Sequence, residues 1–352
     1  MPNWHASMKQ TFEYYIVDPS TWKDIKQINT VTGCNITRDS TSETLGSASI
    51  DVNEELGEAY IRVYLITDQN GVVERFPLGT YLVQTPSTTF NGKYTSVTLD
   101  AYTPLLELKE TMPDIGYTIP KGKNIIDMAY DIVRDNLRAP VISTTKEDLL
   151  QYDFVANSDD TWSSFVTDLL QGINYTLQLD ELGRVLFMPN QDVKTLQSLW
   201  EYNDDNSSIL YPEITMDRDL YGIPNVVEVI YSNGDDTFYS RVVNDDINSQ
   251  LSVQNRGREI LYRDTSPSIL GNATQEQVDR YATQLLSELS SIEYTVTYKH
   301  GYCPVRVGDC VRLNYKLAGI KDVKAKVITQ AISCEPGCPV TETAVFTDNL
   351  WR

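Results

Sequence analysis

The sequence predicts a mainly β protein in which two β regions flank a small α+β domain. Short β-rich runs separated by turn residues occupy both ends of the chain. Two amphipathic helical stripes and a hairpin pattern lie between those ends, and a further helical stripe interrupts the last β region. The length of 352 residues is above the usual limit of one hydrophobic core, so we expect two or three domains.

The first β region covers residues 1–105. Its runs end at turn residues, and the pair Asn91-Gly92 between alternating β-formers is a strong hairpin signal. This pattern is typical of an all-β barrel or sandwich. The predicted strands are Thr44–Val52, Tyr60–Thr67, Val72–Phe76, Gly79–Gln84, Thr88–Phe90 and Tyr94–Tyr102.

The pattern changes in residues 106–215, which we interpret as the α+β domain. Apolar residues recur at helical spacing in two segments, and Gly172 fits the C-terminal cap of the second. The sequence Asp180–Gly183 separates two β-rich runs and predicts a hairpin. The predicted elements are helices Lys123–Leu137 and Asp160–Gln171 and strands Tyr175–Leu179 and Arg184–Met188.

The last region, residues 216–352, returns to β-rich runs. Thr274 and Gln277 have the spacing of a capping box, and apolar residues then repeat at helical intervals up to Leu289. We therefore predict a second β domain with one inserted helix. Its predicted strands are Asn225–Tyr231, Thr237–Val243, Glu293–Tyr298, Cys310–Tyr315, Ala325–Ser333 and Thr341–Phe346.

Acidic residues outnumber basic ones by 49 to 29, which gives a formal charge of -20. Residues 1–100 carry -5, residues 101–220 carry -12 and residues 221–352 carry -3. Nucleic-acid binding takes much of its affinity from cationic side chains, so this balance argues against a protein that grips DNA or RNA. We interpret the surplus in the middle as a solvated surface.

Membrane and export signals are missing from the sequence. No apolar run approaches the roughly 18 residues of a transmembrane helix. Residues Met1–His5 lack the basic start and apolar stretch of a signal peptide. We therefore expect a protein without a membrane anchor that is made in a cytosol.

The cysteines raise the alternative of a metal site. Cys34 stands apart, whereas Cys303, Cys310, Cys334 and Cys338 cluster near the end of the chain, and four thiolates can hold a tetrahedral zinc. Neither pair has C-x2-C spacing, so reduced structural thiols are the favoured interpretation and we predict no metal and no cofactor.

The sequence lacks the usual motifs of catalysis. It contains two histidines, His5 and His300, and neither lies in a pattern of nucleophile, base or metal ligands, so we interpret both as structural or exposed. A P-loop, a dinucleotide fingerprint, a G-x-S-x-G elbow and an H-E-x-x-H run are all missing. We predict a protein that is not an enzyme and has no catalytic, cofactor-binding or metal-binding residues.

Four pairs of adjacent aspartates raise two alternative roles, the catalytic carboxylates of a glycosidase and the ligands of a calcium ion. Neighbouring side chains do not by themselves flank a scissile bond at the required separation. The segments Asn203–Ser207 and Asn233–Asp236 lack the spacing of an EF-hand loop. Turn formation is the favoured role for the pairs, which are Asp159-Asp160, Asp204-Asp205, Asp235-Asp236 and Asp245-Asp246.

Aromatic side chains provide another alternative, a sugar-binding surface. Trp162 lies on a helical stripe and fits core packing better, while Trp200 and Trp351 fit either role. The 22 tyrosines are expected in a strand-rich protein in any case, because tyrosine suits a half-buried pleated surface.

The order of the predicted elements resembles the baseplate or tail-tip hub proteins of phages and of phage tail-like bacteriocins, of the late control protein D type. Four stretches carry the resemblance, and their common order along nearly the whole chain is what makes it specific. They are Gly33–Asp51 with Ile61–Leu65 and Pro77–Tyr81; Val97–Leu106; Thr161–Tyr175 with Asp180–Phe187; and Asn225–Ile230 with Ala282–Leu286, Val307–Leu313 and Val340–Val345.

This resemblance implies a structural hub without enzymatic activity. In that family three subunits form a ring, and each contributes two tube-like β-barrel domains, so the homotrimer adapts a sixfold tail tube to a threefold tip. DNA passes through the ring during ejection without specific binding, and an acidic wall suits this passage. Some relatives carry a C-terminal peptidase or lysozyme extension. Because this chain ends at Arg352 directly after the last predicted strand, we expect another protein to supply that activity.

The resemblance also implies the partners and the location. The partners are the tail tube or distal tail protein, a tip or spike protein, other baseplate proteins and a tape measure protein. The protein is expected in the tail baseplate of a virion that is assembled in the host cytoplasm. A tail-associated carbohydrate-binding module for host attachment and a cell-wall hydrolase built on paired carboxylates are the alternatives.

Overall fold

The computed structural model describes residues 2–90, 92–93, 95–205, 208–218, 220–232, 236–267 and 274–349. The described parts of Met1–Ile214 and Thr297–Ala344 form one compact unit, and those of Thr215–Val296 and Val345–Arg352 form a second. The mainly β composition with a few helices is confirmed. The division into three domains at residues 105 and 215 stays a prediction.

The elements follow one another in three groups. The first contains β1 Lys9–Val17, β2 Asp24–Gln27, β3 Val31–Asp39, β4 Gly46–Val52, β5 Tyr60–Gln69, β6 Val72–Phe90 and β7 Thr95–Tyr102. The second contains α1 Leu106–Glu110, β8 Thr118–Ile119, α2 Ile125–Asn136, β9 Phe154–Val155, α3 Trp162–Gln171, β10 Tyr175–Leu179, β11 Val185–Pro189, β12 Ser198–Asn203 and β13 Leu210–Arg218. The third contains β14 Val226–Ser232, β15 Thr237–Val243, α4 Val253–Arg256, β16 Leu261–Asp264, α5 Gln275–Leu289, β17 Ser291–Gly301, β18 Cys310–Asn314, the 3-10 turn Lys316–Ala318, β19 Val323–Ser333 and β20 Pro339–Asn349.

A single large sheet organises the first unit. Its strands follow the order β13-β17-β20-β19-β3-β4-β7-β6-β5-β1-β2, with β18 on β19 and β12 parallel to β18. Strand β3 therefore pairs with β4 on one side and with β19, from near the end of the chain, on the other. Among the described residues the pairings follow an open path and form no closed barrel, so the two barrel domains stay a prediction.

Strand β6 corrects one sequence prediction. Three separate strands are expected between residues 72 and 90, whereas the structure has one strand of 19 residues. The pairing of β6 with β5 shifts its register between Val63 and Tyr64, and the pairing of β6 with β7 shifts between Val83 and Thr85. These two shifts lie near the two positions where the sequence predicts a break between strands. They are β-bulges, which bend a strand without ending it. Asn91 of the predicted turn lies outside the described residues.

The predicted helices are confirmed, as are the Gly172 cap of α3 and the capping box of α5, and the structure adds N-terminal caps for α2 and α3. Helix α2 starts after Asn124, whose side chain accepts a hydrogen bond from the Asp127 amide. Capping boxes open α3, through Thr161 and Ser164, and α5, through Thr274 and Gln277. These side chains bond backbone groups that a helix terminus leaves without internal partners.

Separate apolar clusters support these elements. One lies on the large sheet and includes Ile50, Val63 and Leu99. A second lies under α2, α3 and the β10–β11 hairpin and includes Phe165 and Phe187. In the second unit α5 packs on the three-stranded sheet β15-β14-β16, and the residues in contact are Val227, Val229, Tyr231, Val278, Ala282 and Leu286.

Gly46 is a position where the β3–β4 pairing requires glycine. Its φ is +143°, and a Cβ there would lie 2.3 Å from the Thr37 carbonyl oxygen. We expect Gly46→Ala to lower the free energy of unfolding by about 3 kcal/mol or more, because the backbone oxygen cannot move without breaking the pair. Urea unfolding measures this change. Gly57→Ala is the matched control, since a Cβ there meets open space, and equal midpoints for the two variants would contradict the argument.

Candidate functional site

One member of each of three carboxylate pairs serves local structure, while Asp235 of the fourth pair lies outside the described residues. Asp160 accepts a hydrogen bond from the Asn157 amide at 2.7 Å, just before α3, and Asp246 accepts one from the Asn248 amide at 2.9 Å. Both are turn contacts, as expected for Asp in loops. Asp204 accepts from the Lys316 amide at 2.8 Å and so holds the 3-10 turn. Residues 206–207 and 233–235 of the calcium candidates lie outside the described residues.

The cysteines do not converge on one site. Cys303 contacts the Tyr202 hydroxyl at 3.2 Å, whereas Cys310 contacts the Ser198 hydroxyl at 3.9 Å. Cys334 lies elsewhere, beside Cys34: its amide donates to the Cys34 carbonyl at 2.9 Å, the two thiols are hydrogen-bonded, and Cys338 packs in the same apolar cluster. All five thiols are free, and in the ranges that the structure describes no three His, Cys, Asp or Glu side chains are grouped to hold a metal ion.

The tryptophans that the structure describes pack against other side chains and are buried or half-buried. Trp4 stacks edge-on against Phe76 and Tyr302, and Trp162 against Tyr117 and Phe165. Trp22 and Trp200 are half-buried, and Trp351 lies outside the described residues. The described tryptophans therefore form no exposed platform of the kind that a sugar ring stacks on.

A buried polar network in the first unit is the feature that the sequence did not reveal. Its centre is Glu342, which is fully buried. The Tyr298 hydroxyl donates to one carboxylate oxygen, and the Gln330 amide donates to the other at 2.7 Å. Arg38 donates to the Gln330 oxygen at 3.1 Å, and His300 Nε2 lies 3.5 Å from Glu342. The network thus joins β3, β17, β19 and β20.

His300 contributes an imidazole to this network. Burial alone lowers its pKa, but hydrogen bonds to Cys303 and Glu342 and the charge of Glu342 outweigh burial and raise the pKa to about 10. Nδ1 lies 2.7 Å from the Gly301 carbonyl oxygen and donates to it. Tyr202 contacts Nε2 at 3.2 Å. The imidazolium form is therefore satisfied on both nitrogens.

Cysteine, histidine and glutamate together have the composition of a nucleophilic triad, but not its geometry. Cys303 is 2% exposed, and His300 and Glu342 are fully buried, so a substrate has no access. The Cys303 sulfur lies 4.0 Å from His300 Nδ1, and that nitrogen is already bonded to a carbonyl. A base must reach the proton that it removes, which this arrangement does not allow. Tyr298 and His300 are two residues apart in β17, so their side chains lie on the same face of the strand. This spacing is the sequence feature that could have indicated that the two side chains belong to one buried network.

The raised pKa of His300 has a consequence for stability. The histidine pKa is higher in the folded than in the unfolded chain, so its contribution is present below about pH 6.5 and is lost as pH rises towards 10. We expect the stability difference between the wild type and His300→Gln to shrink by up to about 1.4 kcal/mol per pH unit over this range. Urea unfolding at about pH 6 and about pH 9 measures it. His5→Gln, at an exposed position, is the control, and a difference independent of pH for His300→Gln would contradict the assignment.

A second polar junction in the first unit is centred on the Leu182 carbonyl in the β10–β11 loop. It accepts hydrogen bonds from Trp22 Nε1 at 2.7 Å, Thr80 Oγ1 at 2.9 Å and Arg62 Nη2 at 3.2 Å. Arg62 is almost fully buried, and it also donates to Thr80 and to Asp24, each at 2.9 Å. The hairpin of the predicted α+β domain is thereby fixed on β5 and β6.

Thr80→Val tests this junction. The substitution keeps the shape but removes the hydroxyl that accepts from Arg62 Nε and donates to Leu182. The buried Arg62 Nε then loses its acceptor, whereas the Leu182 carbonyl keeps Trp22 and Arg62 Nη2 as donors. We expect a loss of about 2 kcal/mol in the free energy of unfolding, measured in urea. Thr88→Val, on the exposed part of the same strand, is the control and should change stability by less than about 0.5 kcal/mol. Equal effects of the two substitutions would show that the junction contributes nothing.

No protein-family model and no curated protein matches the chain. A tail protein from Neisseria meningitidis MC58 is similar in structure, with a TM-score of 0.62 at 12% identity over 97% of this chain and 98% of that one. The 43 kDa tail protein of prophage MuSo2 from Shewanella oneidensis gives 0.58 at 12% identity over 95% and 98%. This chain shares its fold with phage tail proteins.

A chain of the Francisella PdpA-VgrG complex also has this fold. The TM-score is 0.56 at 10% identity, and the match covers 97% of this chain but 53% of that chain. The phage tail fold predicted from the order of the elements is thus confirmed, while the hub family itself stays a prediction. In the described ranges, no helix is both long and apolar enough to cross a membrane.

Proposed function

We propose that this protein is a structural component of the tail baseplate of a phage or a phage tail-like particle, where it acts as a trimeric hub between tube and tip. The observation that carries the proposal is the end-to-end likeness to two tail proteins, each matched over 98% of its own length. A likeness of that extent includes both β regions and the segment between them, so it concerns the whole arrangement and not one common module.

The symmetry role follows from the two β regions. Three chains that each contribute two tube-like β domains present six such domains to a sixfold tube, while the ring itself remains threefold at the tip. The large sheet supports this role, since its strands β5, β6, β17, β19 and β20 have ten residues or more and give it an extended face for assembly. Affinity then comes from extended surfaces, and no short list of residues carries the function.

The charge of the protein is compatible with a channel for DNA. The two β regions that would line the ring are acidic on balance, at -5 for residues 1–100 and -3 for residues 221–352, and like charge keeps a transiting polyanion from adhering, so in this proposal DNA passes through without specific binding. The partners in this proposal are the tail tube or distal tail protein, a tip or spike protein, other baseplate proteins and a tape measure protein. The protein has no enzymatic role in this proposal, and it resides in the virion.

Molar mass and electron microscopy test the proposal. Light scattering is expected to give three times 39.9 kDa for the purified full chain. Class averages are expected to show a threefold ring with six similar densities around a central opening. An asymmetric monomer that persists at high concentration would contradict the trimer, and absence of the chain from purified particles would contradict the baseplate assignment.

A further inference from the structure

Two antiparallel segments in the predicted α+β domain form a ribbon on the surface of the first unit. Residues 117–124 run against residues 148–156, with Thr118 opposite Val155, Ile119 opposite Phe154 and Asn124 opposite Leu149, and we count the segment 111–116 that leads into the first strand as part of the ribbon. Large apolar side chains of this ribbon face solvent, and we call them the apolar patch. Their exposed fractions are 56% for Met112, 98% for Ile115, 54% for Leu149, 82% for Tyr152 and 54% for Val155.

The apolar patch is not needed for the core beneath it. The same two segments already send other apolar residues inward, where Ile119 is buried and Leu150 and Phe154 pack on the cluster around Phe165. The core under this ribbon is therefore complete without the side chains of the apolar patch. Leu149, Tyr152 and Val155 extend over up to about 20 Å, and a run of large apolar groups on a polar surface marks an interaction site.

The surroundings of the apolar patch are acidic. Residues 110–124 and 146–160 contain seven acidic and three basic side chains, a net charge of -4. Asp114, Glu147 and Asp159 are exposed. Charges at the rim of an interface select the partner more than they add to its affinity, so this rim repels acidic proteins and favours a basic one.

A second copy of this chain does not provide that basic surface. Its most basic segment, residues 299–326, contains seven basic and two acidic side chains. Several of its cations are engaged within the same chain. Arg306 pairs with Glu181 and Arg312 with Asp322 at 2.8 Å, while Lys324 donates to the Leu196 carbonyl at 2.9 Å and Lys326 to Asn190 Oδ1 at 3.1 Å. Contact between two apolar patches would also bring two rims of charge -4 together.

We propose that the apolar patch is the docking site for a different tail polypeptide, one that places apolar side chains bordered by lysine or arginine on it. This inference rests on the proposed function, because it assumes that the chain is built into a tail. It assigns the acidic surplus of the middle region a role in choosing a partner, in addition to keeping the surface solvated.

Photo-crosslinking in assembled particles tests the docking site. p-Benzoylphenylalanine replaces Tyr152, and in a second particle preparation it replaces Leu317, which is 90% exposed and lies outside the apolar patch. Position 152 is expected to give an adduct with another polypeptide whose crosslinked segment carries a net positive charge. An adduct with a second copy, an adduct with an acidic segment, the same adduct from position 317, or no adduct in particles that contain the chain would each overturn the inference.

Two double variants separate the apolar and the electrostatic contributions. With the crosslinker at position 152, Ile115→Ser with Leu149→Ser should lower the adduct yield about tenfold, since truncation of buried anchors is costly. Asp114→Lys with Glu147→Lys should also lower the yield, and an increase would overturn the basic partner. Circular dichroism verifies folding, which exposed positions should preserve. If the chain is missing from wild-type particles, both the proposed function and the docking site are refuted. If the chain is incorporated normally but gives no adduct from position 152, only the docking site is refuted.

Discussion

The antiparallel pairing of β3 with β19 is the contact on which the large sheet depends. It runs from Asn35 opposite Ser333 to Asp39 opposite Thr329, and without it the sheet would separate into an early and a late part. Gln330 fixes the register of this pairing. Its side chain lies between Arg38 and Glu342, and a shift by one residue would turn it to the other face of the sheet and leave both partners unsatisfied.

The two polar junctions of the first unit follow the same principle. Around Glu342 and around the Leu182 carbonyl, buried groups are bonded by several donors each. Apolar packing tolerates small displacements, whereas a buried hydrogen-bonded network loses much of its value when one member moves. Apolar clusters therefore supply most of the stability, and the polar groups select one arrangement of the strands.

Features set by local periodicity could be predicted from the sequence, and those set by distant contacts could not. The stripes of α2, α3 and α5 and the capping box at Thr274 follow from the spacing of neighbouring residues. The parallel pairing of β12 with β18 joins segments more than a hundred residues apart, and the burial of His300 depends on Tyr202 and Glu342 from other strands. The local sequence pattern also fails to predict the continuity of β6, because the residues at a β-bulge resemble those at a turn between two strands. The acidic character of the middle region was visible in composition, but the exposure of Ile115 and Tyr152 beside it was not.

The position of β3 in the sheet has a consequence for synthesis of the chain. Its partner strand ends at Ser333, 298 residues after Asn35, so one edge of β3 stays unpaired while most of the protein is made. At typical elongation rates this interval lasts about 15 to 60 s, which is long compared with the formation of a hairpin. The early strands β4–β7 can assemble on the ribosome during this time, but their sheet keeps an open edge that can pair with another nascent chain. A chaperone that covers this edge would thus matter more for the yield of folded protein than for its final stability.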